Sequence, residues 1–161
     1  LNGLMIHHDI PPKEFLNFVH DIDLSFMEKD VVLRGEIEKL DLRKFVFTNG
    51  SSEHVNNITK HLGIDDLFDD IFDIVDAEYS PKPSAKAFDL MVKKFDIDPK
   101  ETIYIEDIAK NLSIGKERGA TTVWLINNEY WGKKESDKDY IDYKIENLSL
   151  FLKEIRLLKN S

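Results

Sequence analysis

The chain has 161 residues, of which 42% are hydrophobic, and this suits one domain of ordinary size with a hydrophobic core. Its formal net charge of -9 argues against binding to a nucleic-acid backbone, because such binding requires a basic surface. The absence of cysteine excludes disulfides, thiolate metal sites and cysteine nucleophiles, and without an apolar stretch of membrane-spanning length we expect a cytoplasmic protein with no membrane partner.

The first part of the chain, residues 1 to about 40, shows no alternation of strands and helices. Within it, Phe15, Leu16, Phe18 and Val19 have helical spacing and are followed by polar residues. The sequence starts with Leu rather than Met, so we expect further residues upstream of it.

From about residue 43 onward, short apolar segments alternate with helical patterns. Repeated strand–helix units of this length favour an α/β fold in which helices cover both faces of a doubly wound parallel sheet, a three-layer sandwich. The predicted strands are 45–47, 102–105 and 121–125, the last of these closing the sheet, with a short apolar segment at 71–75. The first predicted helix starts at Ser51 or Ser52 and ends at Gly63, and the second starts at Pro83-Ser84. A third covers 109–118. After a charged loop at 127–144, a final helix is expected to bury Leu148, Phe151, Leu152 and Ile155.

Polar residues follow the first of these strands. Thr48, Asn49 and Gly50 come directly after strand 45–47 and just before a helix amino terminus. A hydroxyl, an amide and backbone N–H groups at such a position can hold a phosphoryl oxygen. The same residues also suit a plain turn with a helix cap, and both interpretations stay open at this stage.

Lys82 lies between two prolines, which stiffen the backbone and keep this lysine out of a helix. A cation fixed in this way can balance the charge of a phosphoryl group during transfer. The alternative is a surface lysine in a proline turn, which is the commoner context for a bare Pro-Lys-Pro sequence.

Two adjacent acids, Glu106 and Asp107, follow the most apolar predicted strand. Carboxylates at the end of a buried strand are unfavourable unless they meet water, a cation or hydrogen-bond donors. A small number of hard oxygen ligands suits Mg²⁺, which keeps several of its waters, and Asn111 can return to the same place from the next helical turn. The alternative is that Asp107 caps that helix.

In this order, Phe47-Thr48-Asn49-Gly50, Ser80-Pro81-Lys82-Pro83 and Ile105-Glu106-Asp107 resemble the second, third and fourth motifs of the haloacid dehalogenase superfamily of phosphohydrolases. The resemblance covers about residues 43–126. It implies that Thr48, Asn49 and Gly50 bind phosphate, that Lys82 balances its charge, that Glu106 and Asp107 hold Mg²⁺, and that Asn111 supports them.

More narrowly, the chain resembles the pyrimidine 5′-nucleotidase branch of this superfamily. Leu1-Asn2-Gly3-Leu4 and His20-Asp21-Ile22-Asp23 are similar to the end of the helical cap of that branch, and Asn127-Asn128-Glu129 to its tail after the last strand. This resemblance implies a cap remnant at residues 1–40, an α/β core at 41–161, and a small phosphorylated substrate such as a pyrimidine nucleoside monophosphate.

The family's nucleophile is an aspartate that forms an aspartyl-phosphate, with a second aspartate two residues later as general acid and base. Asp21 and Asp23, in the sequence Asp-Ile-Asp-Leu-Ser, match the residue types of the family's first motif, Asp-x-Asp-x-Thr/Ser. Their context does not fit, because the preceding residues have helical spacing and Thr48 follows too soon to leave room for a cap. We therefore expect the nucleophile to be missing from this sequence, and Asp21 and Asp23 to be cap or surface acids.

Three rival functions remain. A signalling receiver domain also combines acids, a hydroxyl and a lysine, but there the acids come first and the lysine last. Dehalogenation is known from the same superfamily, but the acidic pair argues against it because carbon–halogen cleavage needs no such cation. A catalytically inactive fragment that binds phosphate or a partner differs from the enzyme only by the nucleophile, and the sequence does not separate the two or give the oligomeric state.

Overall fold

A computed structural model of the protein describes residues 23–159. None of the described helices is long and apolar enough to cross a membrane. The strands are β1 Phe45–Phe47, β2 Asp70–Phe72, β3 Ile103–Glu106, β4 Thr121–Leu125 and β5 Tyr143–Ile145. The helices are α1 Val31–Glu38, α2 Ser52–Leu62, α3 Ala85–Phe95, α4 Leu112–Glu117, α5 Tyr130–Lys133 and α6 Leu148–Lys159, with short 3₁₀ helices at Pro99–Glu101 and Ala109–Asn111.

The chain divides into two compact units, the first ending at Pro81 and the second beginning at Lys82. Each unit has its own parallel sheet, with β1 beside β2 in the first and β4 between β3 and β5 in the second. The predicted α/β fold with parallel strands is confirmed in both units. The division into a cap at 1–40 and a core from residue 41 stays a prediction, and residues 1–22 lie outside the described part of the chain.

In the first unit, a pair of aromatic rings joins the two strands and local signals set the limits of α2. Phe47 and Phe72 are opposite one another in the ladder, and their rings meet edge to face with centroids 5.4 Å apart. The Ser51 hydroxyl caps α2 by accepting a hydrogen bond from the His54 N–H, and Gly63 ends the helix with a φ of 72°. The predicted start and end of this helix are therefore confirmed.

In the second unit, α3 and α4 pack around Tyr104 of β3. Ser84 caps α3, which starts where it was predicted to start. The Phe88 ring of that helix meets the Tyr104 ring edge to face, with ring centroids 5.7 Å apart. Gly115 lets α4 approach the strand closely, since a Cβ at this position would lie 2.6 Å from Tyr104 Cδ1. Both helices therefore pack on the strand that ends at Glu106.

The prediction for residues 127–144 was wrong in two respects. This stretch contains the short helix α5, and β5 follows β4 as a further parallel strand, so β4 does not close its sheet. β5 was missed because it has three residues with a lysine at the centre, and Tyr143 at its start is 56% exposed. An exposed edge strand of this kind lacks the apolar run on which strand prediction depends.

Smaller differences concern β3 and two of the helices. β3 runs one residue further than predicted, so Glu106 lies in the strand, paired with Trp124, instead of following it. The predicted helix 109–118 begins as a 3₁₀ turn before α4. Of the four residues expected to be buried by the last helix, Leu152 is buried and the other three are half-buried.

Candidate functional site

The loop after β1 is organised by the Thr48 hydroxyl. The Thr48 N–H donates to the carbonyl of Phe72 in β2 at 2.9 Å, which continues the ladder past the end of the strand. Its Oγ1 then accepts a hydrogen bond from the Gly50 N–H, also at 2.9 Å. Thr48 is half-buried and Asn49 is exposed. The turn interpretation therefore describes the local geometry, and it places a hydroxyl, an amide and the amino terminus of α2 within one short loop.

The same loop is anchored from β2 by Asp73, a residue that the sequence analysis did not single out. Asp73 is 8% exposed, and its Oδ2 accepts a hydrogen bond from the N–H of Ser52, the first residue of α2, at 3.0 Å. Its Oδ1 accepts from the N–H groups of Val75 and Asp76 at 2.8 and 3.0 Å. The signal was present in the sequence as an acid directly after an apolar strand, the pattern that drew attention to Glu106 and Asp107.

The electrostatics of Asp73 show how firmly its carboxylate is held. Burial raises the pKa of Asp73, but hydrogen bonds from Asp76, Ser52 and Val75 lower it by more, and the net pKa lies below the usual 3.8. The carboxylate is therefore ionised at neutral pH and is stabilised by backbone N–H groups, one of them at the start of α2, where the helix dipole favours negative charge.

In the second unit, three predicted site residues come together. Lys82 and Glu106 form an ion pair between Nζ and Oε1, with side chains that are 9% and 5% exposed. Asn111 donates from Nδ2 to the same Glu106 oxygen at 3.2 Å, and the Ile108 N–H donates to Oε2 at 3.3 Å. The interpretation of Lys82 as a surface lysine is therefore wrong, since its ammonium is buried against a carboxylate.

The buried carboxylate also influences Tyr104, two residues earlier in β3. Burial raises the pKa of the Tyr104 hydroxyl well above its usual 10.0, and the negative charge of Glu106 raises it further. Tyr104 is therefore a neutral hydroxyl at physiological pH, and Lys82 supplies the positive charge that faces Glu106.

Asp107 differs from its neighbour because its side chain is exposed. Neither the 3₁₀ helix at Ala109–Asn111 nor α4 has a side-chain cap, so the interpretation of Asp107 as a helix cap is wrong. Its backbone carbonyl accepts two hydrogen bonds, from Trp124 Nε1 at 3.0 Å and from Asn127 Nδ2 at 2.8 Å. The backbone of Asp107 is thus fixed while its carboxylate faces solvent.

Of the two residues that match the first motif, the structure describes Asp23 only. Asp21 lies outside the described residues. Asp23 is exposed and its Oδ1 accepts a hydrogen bond from the Ser25 N–H at 2.8 Å, and hydrogen bonding with Ser25 lowers its pKa. Asp23 therefore belongs to a local turn rather than to the end of a strand.

The acidic pair fits a cation that keeps most of its water. Within residues 23–159, no group of three or more Asp, Glu, His or Cys side chains could enclose a metal ion. Mg²⁺ does not require such a group, since one or two carboxylates together with waters and a substrate phosphate suffice. Asp107 offers an exposed carboxylate for this purpose, whereas the charge of Glu106 is already balanced by Lys82.

Comparison with known proteins places these features in a family. The model of the haloacid dehalogenase-like hydrolases matches residues 32–119. A glyceraldehyde 3-phosphate phosphatase from Pyrococcus furiosus is 33% identical over 92 residues, covering 56% of this chain and 38% of the relative. A D-ribitol-5-phosphate phosphatase from Bacteroides thetaiotaomicron is 38% identical over 50 residues, covering 31% of this chain and 24% of the relative.

A solved structure extends the likeness to the fold. A haloacid dehalogenase-type hydrolase from Bacillus subtilis, bound to magnesium, superposes with a TM-score of 0.62 at 19% identity, covering 92% of this chain and 62% of that one. The chain therefore spans less than two fifths of the curated relatives and under two thirds of this structure. Because the family model covers more than half of its residues, the chain belongs to the haloacid dehalogenase-like hydrolases.

Proposed function

We propose that this chain is part of a Mg²⁺-dependent phosphatase that hydrolyses small phosphomonoesters. The observation that carries the proposal is the cluster of Lys82, Glu106 and Asn111, followed directly in the chain by Asp107, whose side chain is exposed. The ion pair fixes the Lys82 ammonium in one position, and Asp107 adds an exposed acid one residue after Glu106. A fixed cation and an exposed carboxylate suit a site that takes a phosphoryl anion and a metal cation. The phosphatases among the relatives act on phosphorylated small molecules, as their names state, which agrees with this substrate class.

Each predicted site residue has a role in this proposal, assigned within its own unit. Thr48, with Asn49 and Gly50, binds the phosphoryl oxygens through its hydroxyl and the backbone of the loop, and the amino terminus of α2 contributes its dipole. Lys82 balances the charge of the phosphoryl group. Asp107, with Glu106, holds the cation, and a bound Mg²⁺ would supply positive charge at the phosphoryl oxygens.

The nucleophile is proposed to lie outside the described residues. Among residues 23–159, none of the five strands is followed by an Asp-x-Asp sequence. In the proposed reaction, an aspartate oxygen forms a bond to phosphorus as the P–O ester bond breaks, the second aspartate protonates the leaving alcohol, and water then hydrolyses the aspartyl-phosphate. Asp21 is the one candidate for this role that the sequence offers, and a segment upstream of the sequence is the alternative that we favour.

The choice of substrate within this class rests on resemblance. The pyrimidine 5′-nucleotidase branch favours a pyrimidine nucleoside monophosphate, whereas the relatives are phosphatases of ribitol 5-phosphate and glyceraldehyde 3-phosphate. We retain the nucleotide as the proposed substrate and use the two sugar phosphates as its competitors in the experiment.

The test is Mg²⁺-dependent phosphate release from uridine monophosphate, ribitol 5-phosphate and glyceraldehyde 3-phosphate, by this chain and by its Asp21→Asn variant. Release that disappears in the variant would make Asp21 the nucleophile. If there is no release until an upstream segment with an aspartate pair is restored, the proposal of a missing nucleophile is supported. If the restored protein binds phosphate without turnover, the chain belongs to a phosphate-binding protein and the enzymatic proposal fails.

A further inference from the structure

The carbonyl of Asp107 is held by two side chains from a single stretch of chain. Trp124 Nε1 donates to it at 3.0 Å and Asn127 Nδ2 donates at 2.8 Å. A carbonyl oxygen has two lone pairs, so two donors occupy it fully and fix the plane of the peptide that follows Asp107. The exposed Asp107 side chain therefore extends from an ordered backbone.

The first donor, Trp124, reaches this carbonyl from the core of the second unit. It is 5% exposed, and its backbone lies opposite Glu106 in β3 and opposite Lys144 in β5. A buried indole N–H has to find a hydrogen-bond acceptor, and here the acceptor is the residue directly after Glu106. Trp124 therefore ties the backbone of Asp107 to β4, the neighbouring strand.

The second donor, Asn127, is itself tightly enclosed. Its Oδ1 accepts a hydrogen bond from the Glu129 N–H at 3.1 Å, so both ends of its amide are engaged. Gly132 of α5 lies against it, and a Cβ added there would lie 2.6 Å from Asn127 Cγ and closer still to both amide atoms. Gly132 has no positive φ, so close contact with Asn127 is the physical reason for glycine at this position.

We propose that Trp124 and Asn127, with Gly132 leaving room for the latter, are positioning residues that aim the Asp107 carboxylate at a divalent cation. The inference rests on the proposed function, in which Asp107 holds Mg²⁺. An exposed carboxylate with a free backbone loses affinity because binding must first order it. The two hydrogen bonds order the backbone of Asp107 in advance, without occupying the oxygens that a cation needs.

The experiment uses Mn²⁺ as a paramagnetic probe and the indole N–H signal of Trp124 as its reporter. Trp124 donates to Asp107, so Mn²⁺ bound by that residue broadens its signal, and excess Mg²⁺ restores it. Since the chain has two tryptophans, Trp131→Phe assigns the signal. The variants are Asn127→Ala, which removes a donor, Gly132→Ala, which displaces the Asn127 amide, and the two combined.

Asn127→Ala and Gly132→Ala are each expected to weaken Mn²⁺ binding by about tenfold, the lower end of the effect of support around metal ligands. The combined variant is expected to match Asn127→Ala alone, because truncation of Asn127 removes the atoms that a Cβ at position 132 would meet. This lack of additivity separates positioning from general damage to the fold, which would make the combined variant worse than either single one.

Two results would overturn the inference, and they differ in what else they overturn. If Mn²⁺ leaves the Trp124 signal of the unsubstituted chain unchanged, or broadens it equally in Asp107→Asn, then Asp107 holds no cation, and the metal assignment in the proposed function fails as well. If Asp107→Asn abolishes the broadening but Asn127→Ala and Gly132→Ala bind Mn²⁺ like the unsubstituted chain, the metal assignment stands and the positioning role is wrong.

Discussion

The loop after β1 and the loop after β3 are held in place by opposite chemistry. In the first unit, the Asp73 carboxylate accepts a hydrogen bond from the N–H of Ser52, where the β1 loop meets α2, and two more from Val75 and Asp76 in its own loop. In the second unit, side-chain N–H groups of Trp124 and Asn127 donate to the backbone carbonyl of Asp107. One loop is fixed by a side chain that acts as an acceptor, and the other by side chains that act as donors.

The difference extends to how each unit accommodates a buried negative charge. Asp73 is stabilised by backbone dipoles, with a pKa below its usual value. Glu106 is stabilised by the ammonium of Lys82 and the amide of Asn111. Within residues 23–159 the exposed carboxylate of Asp107 makes no ion pair, so its charge remains available to a cation. Of the two adjacent acids, Glu106 is thus balanced within its unit while Asp107 faces solvent.

The largest expected effect tests the ion pair of the second unit. Lys82→Met leaves the Glu106 carboxylate buried without its cation, and we expect the free energy of unfolding to fall by about 3–5 kcal/mol. Urea denaturation followed by circular dichroism measures this change. Lys82→Met combined with Glu106→Gln removes both charges and is expected to recover part of the loss. If the double variant is no more stable than Lys82→Met, charge burial is not the reason for the effect.

The next effect tests the anchor of the first unit. Asp73→Ala removes the acceptor of three backbone N–H groups and is expected to lower the free energy of unfolding by about 1–3 kcal/mol. Asp73→Asn is the matched control, because it keeps the shape and one oxygen acceptor but loses the charge. It should fall between the unsubstituted chain and Asp73→Ala in urea denaturation. Equal stability of all three proteins would show that the loop does not depend on this carboxylate.

The same residue predicts a dependence on pH. Because the pKa of Asp73 in the folded chain lies below its usual 3.8, its ionised form stabilises the fold. This stabilisation is fully present above pH 3.8 and is lost as the pH falls through the lower folded-state pKa. The difference in unfolding free energy between the unsubstituted chain and Asp73→Asn should therefore be constant from pH 7 down to about 4 and shrink below it. A difference that grows on acidification would contradict the lowered pKa.

Whether the sequence predicts the structural role of a residue depends on what that residue contacts. Ser51, Gly63 and Ser84 were predicted as helix limits because capping acts over three or four residues and follows from side-chain type. Lys82 and Glu106 lie 24 positions apart, and only the resemblance of their motifs to one family assigned both to a single site.

The residues that sequence reasoning missed have backbone partners. Asp73 is bound by N–H groups and Asn127 donates to a carbonyl, and every position in the chain offers such groups. An acid directly after an apolar strand marks Asp73 as a candidate, but the residue types do not indicate which backbone groups it will contact. Asn127 entered the sequence analysis only through the resemblance of its tail. The limits of β3 were missed for a related reason, since the burial of Glu106 depends on Lys82.

The smallest effect on stability should come from substitution of Thr48. This substitution also distinguishes the turn interpretation of the loop from the phosphate-binding interpretation. Thr48→Val removes the acceptor of the Gly50 N–H and is expected to cost about 0.5–1.5 kcal/mol, less than Asp73→Ala, because Asp73 anchors the loop. Thr48→Ser keeps the hydroxyl and serves as the matched control. Isothermal titration with inorganic phosphate should show weaker binding by Thr48→Val and unchanged binding by Thr48→Ser. If Thr48→Val binds phosphate as the unsubstituted chain does, the hydroxyl serves the turn alone. The loops after β1 and β3 would then differ in how they are stabilised, and the Thr48 hydroxyl would have no part in phosphate binding.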